Sequence, residues 1–198
     1  MDRIAPDGEG VHAFMAFAFD PDTVIAFVKA NQAYAPLVVF FMAMGETIIV
    51  VSFFIPSTFL LFGVGGLLAA SGVPLMPSLI AGGLGASLGF SLMYLVSAMM
   101  QERILTLWPF SKAPEMMEKA KDFSRRWGVF GVVIGHFSGP LRVLVPVVSG
   151  LTHMPPAPFM LANITGAFGW IVTFFAPGYL VVSSEWFREV FSHAKGLF

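Results

Sequence analysis

The sequence has no cysteine and little charge. Without cysteine there is no disulfide framework, no thiolate chemistry and no pointer to a redox compartment. Only 12% of the 198 residues are charged, against 57% hydrophobic, and the mean hydropathy is +0.80. A soluble domain of this length needs far more surface charge, so the composition predicts an integral membrane protein. The formal net charge of −1 leaves no basic stripe to offset phosphate repulsion, which excludes nucleic acid as a partner. The first residues, "MDRIAPDGEG", are acidic where a cleaved signal wants Lys or Arg, and they read as a polar tail.

Chemistry-bearing patterns are also scarce. The histidines at 12, 136, 153 and 193 are scattered without metal-ligand spacing, so neither a metal nor any other cofactor is expected. There is no nucleophile elbow and no spaced pair of carboxylates. The basic, Ser-His and His-Asp elements of a membrane lipid phosphatase are missing as well. The expectation is therefore not an enzyme.

What the sequence does contain is long apolar runs, two of which are interrupted. Leu37 to Gly72 holds 36 residues and a single charge, Glu46. As one helix it would reach about 54 Å, well beyond about 30 Å of hydrocarbon, so it must break; Pro56 is the natural place. Val129 to Leu151 contains "GHFSGPLRVLVPVVSG", with His136, Arg142 and the breakers Pro140 and Pro146 at membrane depth. Two other runs, Ser78–Met100 and Phe159–Val182, are free of charge and read as intact spanning helices. In the first, Gly85 and Gly89 form a small-xxx-small pair that lets another backbone approach closely.

Between these runs, residues 101–128 carry six of the eleven Lys and Arg residues, which predicts a cytoplasmic connector. Within it Met116, Ala120, Phe123 and Trp127 fall on one face of an amphipathic surface helix. Residues 1–36 read as a tail followed by an interfacial helix that starts at Asp20–Pro21. Residues 183–198 read as a second interfacial segment, and Trp108, Trp127 and Trp186 suit interfacial belts.

Shifting the chain by 84 residues lays "SFFIPSTFLLFGVGGL" (52–67) on "HFSGPLRVLVPVVSGL" (136–151), with six of sixteen positions identical. Each copy is followed by a proline-rich turn and an intact apolar run. Residues 37–100 and 129–182 therefore read as two repeats, each a re-entrant hairpin plus a spanning helix. The alternative is two unrelated kinked helices. The second hairpin is expected to turn near Ser138–Pro140, where Ser138 and Gly139 would offer free backbone donors to an anion. Thr58 falls opposite Arg142 in the repeat. Arg142 and Glu46, the charges within the apolar runs, read either as a structural ion pair or as an anion site with a balancing or proton-carrying acid. His136 reads as a titratable member of that site or as a polar turn residue. Asn163 reads chiefly as a bond across helices.

These residues resemble the DedA family of bacterial membrane proteins, also called SNARE-associated or VTT-domain proteins, from about Tyr34 to Leu180. One family motif appears as "ETIIVVSFFIPSTFLLFGVGG", with Glu46 ten residues before Pro56. The other appears as "GHFSGPLRVLVPVVSG", preceded by "RRWG" and followed by "GAFGW". The resemblance implies an all-α, multi-pass inner-membrane protein with two re-entrant hairpins in a pseudo-inverted repeat. It also implies transport of a phosphate-bearing lipid, with undecaprenyl phosphate as substrate. A proton- or ion-coupled small-solute transporter and a scramblase-like membrane-homeostasis protein are the alternatives. Substrate-binding positions would be Glu46, Thr58, His136, Ser138, Gly139 and Arg142; partners would be an anionic lipid, membrane lipids and a second copy of the chain. Three positions depart from the family pattern: Thr58 and Phe90 stand where acids are usual, and His136 stands for the first arginine. Weaker or more pH-dependent anion binding is the expected consequence.

Overall fold

A computed structural model describes residues 21–48, 57–107, 110–112, 114–187 and 189. Among these the chain is helical throughout its ordered elements, with no strand. Helix α1 (Pro21–Ala30) leads through a short 3-10 turn into α2 (Ala35–Ile48), and the chain bends by 75° between them. Helices α3 (Ser57–Ala70) and α4 (Leu75–Met100) follow, then 3-10 turns at Gln101–Thr106 and Phe110–Lys112. Next come α5 (Pro114–Gly135), α6 (Gly139–Leu151) and α7 (Pro156–Ser183).

Among the described residues, only α4 and α7 are long and apolar enough by themselves to cross a bilayer. Both begin directly after a proline, which fixes a helix-compatible dihedral without removing a needed donor. Ile80, Leu84, Leu88, Leu92 and Leu95 of α4 stay exposed at close to helical spacing, a surface suited to lipid. The opposite face is built of Gly82, Gly85, Ala86, Gly89 and Phe90, all buried.

The close approach expected at Gly85 and Gly89 is made by α2. A methyl group at Gly85 would run into the backbone carbonyl of Phe40, and one at Gly89 into Thr47. Helices α3 and α7 cross by the same device, with Gly65 against the Phe175 carbonyl and Gly178 against that of Phe62. Gly85→Val is therefore expected to force α2 away from α4. It should cost about 2–3 kcal/mol in a detergent-unfolding titration, whereas Leu84→Val on the exposed face of the same helix should leave the midpoint in place.

Helix α5 is two helices joined at Gly128, whose φ of +50° suits glycine. In the first part the buried residues are Met117, Ala120 and Ser124. Trp127, expected on that face, is 45% exposed because the chain turns just after it. Met117 and Ala120 pack with Ile104, Phe110, Val143, Leu144, Val147 and Val148 of α6 and the preceding turns. A separate core joins Val39, Leu61, Leu68, Ala86, Trp170, Ile171 and Phe175 across α2, α3, α4 and α7.

Helix α2 is described as far as Ile48 and α3 from Ser57, so the break expected at Pro56 lies outside the described residues, as does the side chain of Thr58. The second break sits slightly earlier than the sequence suggested. The turn is His136–Ser138, and Gly139 and Pro140 already belong to the first turn of α6. Proline is welcome there because that amide has no helical acceptor, so Pro140 starts a helix and does not break one. Pro146 does not break one either, since α6 continues through it. What it removes is the N–H that would have bonded the carbonyl of Arg142.

Candidate functional site

Arg142 lies in the first turn of α6, where its backbone N–H donates to the Ser138 carbonyl at 2.8 Å. The positive end of the helix dipole makes this a poor place for a cation and a good one for an anion. The compensation comes from α2. Arg142 Nη1 donates to Glu46 Oε2 at 3.0 Å, with the two side chains only 4% and 11% exposed. On another side the guanidinium carbon sits 3.5 Å from the centre of the Trp170 ring of α7. Arg142 Nε and Nη2 are buried and have no hydrogen-bond partner among the described residues.

His136 is 1% exposed and held between α4 and α7. Its ring stacks on Phe90 of α4, with centroids 3.8 Å apart and planes 18° from parallel. Asn163 of α7 gives both amide hydrogens to α4, to the Ser87 carbonyl (2.8 Å) and Ser91 Oγ (3.0 Å). Its Oδ1 is then an acceptor only, so His136 Nε2–H donates to it at 3.0 Å. That bond leaves Nδ1 as an acceptor, buried and without a partner among the described residues. Gly166 permits the arrangement, because a Cβ there would come within 2.5 Å of the His136 ring.

Asn163 thus binds across helices, as the sequence suggested, and it also fixes the histidine tautomer. Asn163→Leu would leave the Ser87 carbonyl, Ser91 and His136 short of partners at once. It should cost about 1–3 kcal/mol in the same unfolding titration, and His136 imidazole nitrogen shifts should report the lost bond.

Of the positions singled out in the sequence, Glu46 and Arg142 meet directly. His136 lies on the same turn and shares the contact to α7 but not the ion pair. Ser138 precedes α6 without capping it; its hydroxyl donates back to the Ile134 carbonyl at 3.2 Å. Gly139 is exposed, and a side chain there would meet only open space. Trp170 and Phe90 complete the site although sequence reasoning gave neither a role. Spacing offered a clue for Trp170, seven residues after Asn163 and so on the same helical face. No group of three or more His, Cys, Asp or Glu side chains that could hold a metal occurs among the described residues.

The site is also deep. Its contacts fall on Ser87–Ser91 of α4 and Asn163–Trp170 of α7, near the middle of each long helix.

A family profile described as VTT domain matches residues 55–180. The chain is 28% identical over 155 residues to the inner membrane protein YabI of Escherichia coli K12, covering 78% of this chain and 61% of that one. It is 28% identical over 169 residues to the inner membrane protein YohD of the same strain, covering 84% and 80%. To the protein DedA of that strain it is 27% identical over 148 residues, covering 72% and 66%. The chain spans about three fifths of the length of YabI and of three Buchnera aphidicola membrane proteins that it also matches. No solved structure matches it.

Proposed function

Since this chain belongs to the VTT-domain family of DedA membrane proteins, we propose that it carries a phosphate-bearing lipid across the bilayer, with Arg142 as the anion-binding centre. Like YabI and YohD it is an inner membrane protein of bacteria. Undecaprenyl phosphate is the substrate that the family resemblance favours.

The supporting geometry starts with two helices too short to cross. Helix α6 has 13 residues and α3 has 14, about 20 Å each. Helix α6 leaves the deep site and ends beside the C-terminus of α4, where Val147 O accepts from Ser97 Oγ at 2.6 Å and His153 meets Gln101. The first part of α5 packs on that same end of α6, through Met117 and Ala120. Residues 129–151 thus enter and leave on one side, which is the behaviour of a re-entrant hairpin. Helix α2 runs from Val39 beside Gly82 to Thr47 beside Gly89, so it approaches the centre from the other side, the end of α4 near Leu75. Helix α3 returns toward that same side, where Tyr179 donates to the Val73 carbonyl.

Packing partners also exchange between the halves. Helix α3 lies on α7, and α6 lies on α4. Two hairpins entering from opposite sides, each leaning on the other repeat's spanning helix, make an inverted repeat over residues 37–100 and 129–182. Its centre is the Glu46–Arg142 pair, contributed by both halves. Rocking one half against the other would expose that centre to each side in turn.

The observation that carries the reading is a buried arginine, with donors unpartnered among the described residues, near the middle of the two long apolar helices. Such a charge costs on the order of 3 kcal/mol or more, a cost usually borne for function. The enclosure of Arg142, 3% exposed, also suits a small anion, the second reading. Native mass spectrometry of the purified protein separates the two. Retained polyprenyl phosphate, lost in Arg142→Ala, is the expected result. Retention of inorganic phosphate alone would favour the small solute, and lipid retention indifferent to the substitution would sink the Arg142 assignment.

A further inference from the structure

A guanidinium is a planar fork of five N–H donors, and an oxyanion can meet it along either of two edges. One edge is Nη1 with Nη2; the other is Nε with Nη2. In Arg142 the carboxylate of Glu46 takes Nη1, while Nε and Nη2 are both buried and have no hydrogen-bond partner among the described residues. Among those residues the whole side edge, two nearly parallel donors, is therefore left bare. Bare buried donors on a side chain 3% exposed are unusual, because each forfeits a bond that water would have given.

The orientation of that edge is set by Trp170. At 3.5 Å from the ring centre, the guanidinium carbon is as close as two stacked planes come. A perpendicular guanidinium would drive one of its nitrogens into the indole. The indole therefore fixes the plane of the fork, and Glu46 fixes its rotation within that plane. Trp170 itself is 2% exposed and part of the core shared by α2, α3, α4 and α7, so it gives the fork a rigid backing.

We propose that Trp170 is a positioning residue for anion binding, presenting the Nε–Nη2 edge of Arg142 to the substrate phosphate while Glu46 stays on Nη1. This rests on the anion-site reading given above and deepens it. The anion is not required to displace the carboxylate. Two phosphoryl oxygens would lie on the two donors, the bidentate geometry for which arginine is suited and lysine is not.

The test uses dodecyl phosphate titrated into the full-length protein in detergent, with affinity read by calorimetry. Wild type should bind and Arg142→Ala should not. Arg142→Lys, which keeps the charge and a partner for Glu46, should lose about tenfold or more, because the edge is gone. Trp170→Leu should weaken binding about tenfold and Trp170→Phe, which keeps an aromatic face, should restore most of it. In a protein whose Trp108, Trp127 and Trp186 are replaced by Phe, the fluorescence of Trp170 should shift when dodecyl phosphate binds. That signature decides the matter even if Trp170→Leu does not fold. Wild-type affinity in Trp170→Leu, wild-type affinity in Arg142→Lys, or an unshifted Trp170 signal on binding would each overturn the proposal and leave the anion-site reading standing. Absence of binding by wild type would instead overturn the anion-site reading, and this inference with it.

Discussion

Removing Glu46 alone should destabilise the protein more than removing Glu46 and Arg142 together. The two side chains are 11% and 4% exposed and share one hydrogen bond of 3.0 Å near the middle of the two long helices. In Glu46→Ala the guanidinium keeps its indole backing but loses its counter-charge, in a place where water cannot replace it. Breaking one partner of a buried pair costs about 3–5 kcal/mol, much of it the penalty of the stranded charge. Replacing both by apolar residues of similar size removes that penalty. Glu46→Leu combined with Arg142→Met should therefore recover to within about 1–2 kcal/mol of wild type. The double variant should nonetheless retain no alkyl phosphate, because the donors that would hold it are gone. A detergent-unfolding titration of the two singles and the double, with bound lipid measured on each, gives both readings. Additive losses in the double would mean that the pair is not coupled. Lipid retention in a stable double would mean that the pair is structural only.

The parts of the molecule that the sequence revealed are those where composition has one physical meaning. A run without charge longer than about 20 residues can do little except cross a membrane, and α4 and α7 are where such runs are. Glycines four residues apart on one face leave room for a backbone, and α2 fills that room at Gly85 and Gly89. Glu46 and Arg142 stood out because charge is expensive in such surroundings, and expense made their meeting a natural expectation. Proline was harder to read, because one residue type has opposite meanings at different places. Pro140 looked like a breaker but begins α6, and Pro146 sits inside it. Aromatics were harder still. Trp170 within "GAFGW" has the same apolar character as its neighbours, and only the fold shows that its face carries Arg142. Phe90 likewise drew notice for the acid that it replaces, with nothing in the local sequence to say that it touches a residue 46 positions away.

That contact recasts the three departures from the family pattern. Phe90 and His136 are two of them, standing where the resemblance implies an acid and an arginine, and here they face each other with ring centres 3.8 Å apart. Two positions that the resemblance gives to an acid and an arginine are thus joined in this chain by an aromatic stack, a difference at both ends of one contact. The consequence is directional. His136→Arg alone should be destabilising by about 3–5 kcal/mol, since it would bury an unpaired cation at a position 1% exposed. It would also crowd Gly166, where even a methyl group comes within 2.5 Å of the present ring. Phe90→Glu alone should be comparably harmful, placing a carboxylate against a neutral imidazole among Tyr94, Val132, Val145 and Phe159. Together the two should recover at least about 2 kcal/mol of the summed loss, because each supplies the charge that the other lacks. A double-mutant cycle by detergent unfolding measures the coupling. Strictly additive losses would show that the stack is packing and not an exchanged pair.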